Sequence, residues 1–118
     1  MSKFLSSPFE FQLGAVYIMS EFDESRVLDG LQKLDSQVIG AVYDKYFPEV
    51  YRYVYYRLGD QTLAEDIASD VFVRLLEAAQ GRRAPQTNLR AWLISTASHA
   101  VMDHLRRKYR RPGPGGEP

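Results

Sequence analysis

Residues 89–111 are the segment that most constrains what this chain can fold into. Leu89, Leu93, Ala97, Ala100, Val101 and Leu105 recur every three or four residues, the spacing of one helix face. The only tryptophan, Trp92, lies in this stretch, and its end is basic: Arg106, Arg107, Lys108, Arg110 and Arg111. One helix therefore starts in a core and runs out into positive charge. Such a helix suits a polyanion, and nucleic acid is the commonest one. The alternative is a solubilising charge run that complements the negative end of the helix dipole.

The segments upstream carry the same period, with no strand-like alternation. Val27, Leu28, Leu31 and Leu34 predict a short helix over residues 24–34. Val42, Phe47, Val50, Val54 and Leu58 predict a longer one over residues 36–58, ended by Gly59-Asp60. Pro48 falls inside it. A proline removes one helix hydrogen bond at a cost of about 3 kcal/mol, so a kink or short break is expected there. Thr62-Leu63-Ala64-Glu65 reads as a capping box opening a third helix. Ala64, Ile67, Ala68, Val71, Phe72, Leu75 and Leu76 form its stripe, and Gly81 reads as its stop. Residues 82–87 read as a loop stiffened by Pro85, with Thr87 or Asn88 capping the last helix. Pro112-Gly113-Pro114-Gly115-Gly116 reads as a flexible linker or tail. The expected organisation is an N-terminal extension over 1–22, a helical domain over 23–111 and a tail over 112–118. The expected fold class is all-α, a compact bundle of three to four helices.

Charge is distributed rather than net. The formal charge is zero, yet residues 60–77 carry Asp60, Glu65, Asp66, Asp70 and Glu77 against Arg74 alone. Residues 82–111 carry Arg82, Arg83, Arg90, Arg106, Arg107, Lys108, Arg110 and Arg111 against Asp103 alone. An acidic helix beside a basic segment fits two different partner surfaces, or two solvated faces. The chain has no cysteine, which removes disulfides, thiolate metal sites and thiol nucleophiles. No apolar run approaches the ~18 residues of a membrane span, so no membrane partner is expected. There is no phosphate-binding glycine loop, HExxH or GxSxG. His99 and His104 are five apart and do not share a helix face. No metal, no cofactor and no enzymatic activity are therefore expected. Asp103 reads as a packing or salt-bridging carboxylate. Residues 81–88 are too long and too proline-broken for the tight turn of a helix-turn-helix duplex reader.

Three ordered segments resemble a known family. They are Tyr43-Asp44-Lys45-Tyr46-Phe47-Pro48-Glu49-Val50-Tyr51-Arg52-Tyr53-Val54-Tyr55-Tyr56-Arg57-Leu58-Gly59-Asp60; Ala64-Glu65-Asp66-Ile67-Ala68-Ser69-Asp70-Val71-Phe72-Val73-Arg74-Leu75; and Leu89-Arg90-Ala91-Trp92-Leu93 with Asp103-His104-Leu105-Arg106-Arg107. Together they resemble region two of bacterial RNA polymerase sigma factors, of the extracytoplasmic-function type. The resemblance implies a cytoplasmic transcription-initiation module. It would bind core RNA polymerase and recognise and melt the minus-ten promoter element as single-stranded DNA. Asp66, Ser69 and Asp70, with Phe72 as an apolar anchor, would meet the clamp helices of the largest β-type subunit. The base would be read by Arg83, Gln86, Thr87 and Asn88, which offer polar groups, and by Trp92, which offers a ring. Trp92 also reads as core support for such a pocket. Arg90, Arg106, Arg107, Lys108 and Arg110 would bind phosphate, contributing affinity rather than sequence choice.

Two departures stand out. His99 occupies the position where the family usually carries asparagine, which alters the expected base contact or its pH response. The second DNA-binding domain of a complete sigma factor has no counterpart, so the chain is expected to be a region-two unit, alone or cut near Pro112. The alternative function is a protein-interaction module that binds a polymerase subunit or an anti-sigma factor without reading DNA. The dense tyrosines, Tyr43, Tyr46, Tyr51, Tyr53, Tyr55 and Tyr56, cannot all face one side, so some are expected at the surface.

Overall fold

A computed structural model describes residues 23–110, with the side chain of Arg110 left aside. The expected extension over 1–22, the tail over 112–118 and Arg111 lie outside the described residues. The described chain forms four helices: α1 Glu24–Gln32, α2 Ser36–Leu58, α3 Gln61–Gln80 and α4 Leu89–Arg110. The fold is all-α.

Asp and Asn residues start every helix. Asp23 accepts from the Arg26 amide, Asp35 from the Gln37 and Val38 amides, and Asp60 from the Leu63 amide at 2.9 Å. Asn88 accepts from the Ala91 amide at 3.1 Å. Each side chain satisfies helix N–H groups that have no partner inside the helix. The Thr62–Glu65 capping box is therefore corrected. Gly59 closes α2 in the left-handed conformation (φ 71°), its N–H donating to Tyr55, and Asp60 starts α3 immediately. With Asp60 as cap, Thr62 already lies inside the helix.

The end of α1 differs from expectation by two residues, whereas α3 stops at Gly81 as expected, and the two ends close in the same way. α1 stops at Gln32, not at Leu34. Leu34 takes φ 57°, its N–H donates to Leu31, and the Asp35 N–H donates to Gly30. At the end of α3, Arg82 takes φ 60°, donates to Ala79, and the Arg83 N–H reaches Ala78. Both are Schellman closures in which a non-glycine residue accepts the left-handed position. Gly81 does end α3, but with an ordinary φ of −88°.

Pro48 does not break α2, which runs continuously through it. Pro48 and Asp44 lie on the exposed side, so the Asp44 carbonyl that loses its amide partner can be met by water.

The core is a set of i, i+4 rows. α2 buries Val42, Tyr46, Val50 and Val54; α4 buries Leu89, Leu93, Ala97 and Val101. α3 presents Ala64, Ala68, Val71, Phe72, Leu75 and Ala79 between them. The three alanines let neighbouring helices approach closely. Tyr46 is buried where Phe47 was expected to lead, while Phe47 is partly exposed. α1 lays Val27, Leu28 and Leu31 on the same core. Gly30 makes its corner possible, because a Cβ there would fall 2.6 Å from Val38 Cγ2.

Candidate nucleic-acid interface

α3 carries its acids outward. Asp66 and Ser69 are exposed and Asp70 is half-exposed, spaced to share one side of the helix. Asp70 Oδ2 accepts from Arg74 Nε at 2.6 Å, a pair on the open surface. Phe72 does not join this face. Its side chain is 7% exposed, packed edge-on to Tyr43 at 5.1 Å and against Phe47 at 6.1 Å. The apolar side chain that the acidic face does present is Val73, 48% exposed. Val73 follows Asp66 and Asp70 at i+7 and i+3, which places it on their side of the helix.

The loop over 82–88 spans two left-handed residues, Arg82 (φ 60°) and Asn88 (φ 50°). Asparagine tolerates this conformation better than most side chains, and arginine pays for it. Ala84 and Pro85 turn inward and are buried, whereas Arg83, Gln86, Thr87 and Asn88 are exposed. The Ala84 carbonyl accepts from Gln32 Nε2 at 3.4 Å. At the far end, the Leu89 N–H donates to Glu24 Oε2 at 2.9 Å.

α4 has two flanks. Trp92 is half-buried, packs against the core, and shares a flank with exposed His99 seven residues on. The opposite flank faces α2 across a groove of about 660 Å³. Asn88 and Arg90 border that groove with Arg52, Tyr53, Tyr56 and Ser95; Trp92 and His99 do not. The expected base-reading residues thus form no single pocket. Of the four polar loop side chains only Asn88 borders the groove, and Trp92 and His99 lie along the other flank. Arg52 was not singled out from sequence, and Tyr53 and Tyr56 were named only among the dense tyrosines. Tyr56 is 87% exposed, and the unusual tyrosine density was its only sequence signal.

Several of the bases are engaged. Arg90 forms a bridge to Glu49, which raises its affinity for its proton through that hydrogen bond. Asp103 Oδ1 accepts from Arg106 at 2.7 Å, and Arg107 approaches its other oxygen at 3.9 Å. Asp103 therefore bridges salt, as expected. Lys108 lies beside the exposed Tyr109 ring, 5.8 Å from its centroid. These exposed pairs are weak enough to yield to a phosphate. Among the described residues no helix is long and apolar enough to cross a membrane.

Comparison with known proteins adds a family to this geometry. Residues 42–111 match sigma-70 region 2. The chain is 31% identical to the ECF RNA polymerase sigma factor BldN of Streptomyces coelicolor over 90 residues, covering 74% of this chain and 34% of that protein. It is 30% identical over 70 residues to the ECF RNA polymerase sigma factor SigX of Bacillus subtilis, 57% of this chain and 34% of that one. The ECF RNA polymerase sigma factor SigC of Mycobacterium tuberculosis is 36% identical over 64 residues, 54% and 34% of the two chains. The chain thus spans about a third of the length of these curated relatives. No solved structure matches it. The matched span takes in most of α2, the whole acidic helix, the loop and the basic helix, and on it the chain belongs to the sigma-70 region 2 family.

Proposed function

We propose that this chain is the promoter-melting and polymerase-docking part of an extracytoplasmic-function sigma factor, acting in the cytoplasm. The observation that carries the reading is the match over residues 42–111, whose span holds the outward acids of α3 and the basic end of α4. Asp66, Ser69 and Asp70 meet basic side chains on the clamp helices of the largest β-type polymerase subunit. Val73 takes the anchoring role first expected of Phe72. The loop holds one unstacked base of the minus-ten element between Arg83, Gln86, Thr87 and Asn88. Trp92 supports it from the core side, and His99 lies farther along the strand. Arg106, Arg107, Lys108 and Arg110 follow the phosphates, while Arg90 must first release Glu49.

The groove extends this surface. Tyr56 offers an open ring, Tyr53 a ring that Arg57 covers on one side, Arg52 a cation and Ser95 a hydroxyl, the mixture that holds unpaired strands without choosing sequence. Opening a duplex costs about 1.4 kcal/mol per base step. A domain this small binds the open strand weakly alone and strongly on the polymerase. An anti-sigma factor competing for the acidic face is compatible with the same surfaces.

The test is a loop graft that replaces residues 82–88, with His99→Asn beside it, each bound to core polymerase and a single-stranded minus-ten oligonucleotide library. The graft should change the accepted base at one position, by about 1–3 kcal/mol of discrimination, and leave polymerase affinity unchanged. His99→Asn should change preference at the same or a neighbouring position. Identical preferences in both variants would mean that the base is read elsewhere.

A further inference from the structure

We propose that Glu24 and Gln32 of α1 are positioning residues that set the shape of the base-reading loop, so that α1 governs promoter preference without touching DNA. The proposal rests on the reading that the loop selects the base.

Four observations carry it. First, α1 lies outside the span that matches sigma-70 region 2, which begins at residue 42. Second, α1 holds the loop at both ends across long stretches of sequence. Gln32 Nε2 donates to the Ala84 carbonyl at 3.4 Å, and Glu24 Oε2 accepts from the Leu89 N–H at 2.9 Å. Third, the loop lies between left-handed Arg82 and Asn88, a conformation that asparagine tolerates but that strains Arg82, so its path must be held by its surroundings. Fourth, α1 is itself immobilised: Val27, Leu28 and Leu31 are in the core, and Gly30 is pressed against Val38. A rigid helix with one polar side chain at each end of a strained loop is a template for that loop.

Glu24 does a second thing. The first N–H groups of α4 form a positive end that attracts anions. Asn88 takes the Ala91 amide and the Glu24 carboxylate takes that of Leu89. The carboxylate therefore occupies the place where a phosphate would otherwise settle, which keeps the strand beside the loop rather than at the helix tip.

The experiment measures base selectivity on core polymerase for Gln32→Ala, Glu24→Ala and Glu24→Gln, with the loop graft in parallel. The reading is the ratio of binding between the preferred and next-best base at the position the graft shifts. Polymerase affinity, thermal stability and hydrogen exchange of the Leu89 amide are recorded for each. Both alanine variants should narrow the ratio by about threefold to tenfold, the span of one lost hydrogen bond. Glu24→Gln retains an oxygen acceptor and should keep most of the ratio. Leu89 exchange should quicken in Glu24→Ala, and polymerase affinity should not change. A purely structural role would lower the melting temperature and weaken all bases alike. An unchanged ratio in both alanine variants, beside a shifted preference in the graft, overturns this proposal alone. A graft that shifts nothing overturns the loop reading beneath it. Should Glu24→Ala fail to fold, Gln32→Ala decides, because it removes only one long, partly exposed contact.

Discussion

Asp70→Arg separates a docking surface from a merely solvated acidic face. In the chain alone, Asp70 accepts from Arg74 at 2.6 Å, with the two side chains 48% and 55% exposed. A pair so exposed on one helix contributes about 0.3–0.5 kcal/mol. Reversing the charge removes that and adds a like-charge pair at i, i+4 of similar size. The fold should therefore lose less than about 1 kcal/mol. At a docked interface the same change sets two cations against each other in a desolvated contact, where losing one charged partner costs about 2–5 kcal/mol. Even the lower figure is a loss of roughly thirtyfold in Kd. Urea denaturation gives the first quantity, and anisotropy of the labelled chain titrated with core polymerase gives the second. Arg74→Ala is the matching control: it frees Asp70 and should bind at least as well. Unchanged polymerase affinity in a folded Asp70→Arg variant would refute the assignment of this face.

Three further outcomes test other parts of the reasoning. Replacing Arg106, Arg107 and Lys108 by alanine should weaken binding of all single strands alike and flatten the salt dependence by about 0.7 per lost phosphate contact; a changed base preference with an unchanged slope would make them readers. Burial, then the charges of Glu24 and Glu49, raises the Tyr46 pKa above its ordinary value of 10.0. The folded state thus binds that proton more tightly than the unfolded chain. The stability it confers is present below pH of about 10 and is lost as pH rises through the folded pKa, so Tyr46→Phe should flatten the alkaline limb of the unfolding curve. Glycine positions should behave oppositely: Gly81→Ala, with φ −88° and the flexible, exposed Arg83 guanidinium as its nearest neighbour, free to swing aside, should stabilise by about 0.4–1 kcal/mol, whereas Gly30→Ala, 2.6 Å from Val38, should destabilise by about 1–3 kcal/mol.

The helices were legible in the sequence because each carries a row of apolar residues at helical spacing and an Asx or glycine at its ends. The range of α2, the start of α4 at Leu89 and the Asn88 cap follow from that local chemistry. What was not legible is whatever depends on competition or distance. Asp60 and Thr62 are both good caps, and the two-residue turn after Leu58 decides for Asp60. Pro48 costs a hydrogen bond, but only the exposure of its side of α2 shows that the helix survives it. Phe72 and Val73 are neighbours in sequence and both apolar; the packing of Tyr43 and Phe47 takes the one inward and leaves the other outside. The bonds from Glu24 to Leu89 and from Gln32 to Ala84 join residues that no local pattern connects. The groove beside α4 exists only once α2 lies against it, which is why Arg52 had no evident role beforehand and Tyr56 was marked only as one of many tyrosines.

The most direct measurement is binding of a randomised single-stranded minus-ten oligonucleotide library to this chain, with and without core polymerase. Sigma region-two action predicts weak, nearly sequence-blind binding by the chain alone. On the polymerase it predicts tight binding with a preference concentrated at the position the loop reads. Failure to bind core polymerase, or a complex on the polymerase with no base preference at any position, would contradict it and leave a protein-interaction module in its place.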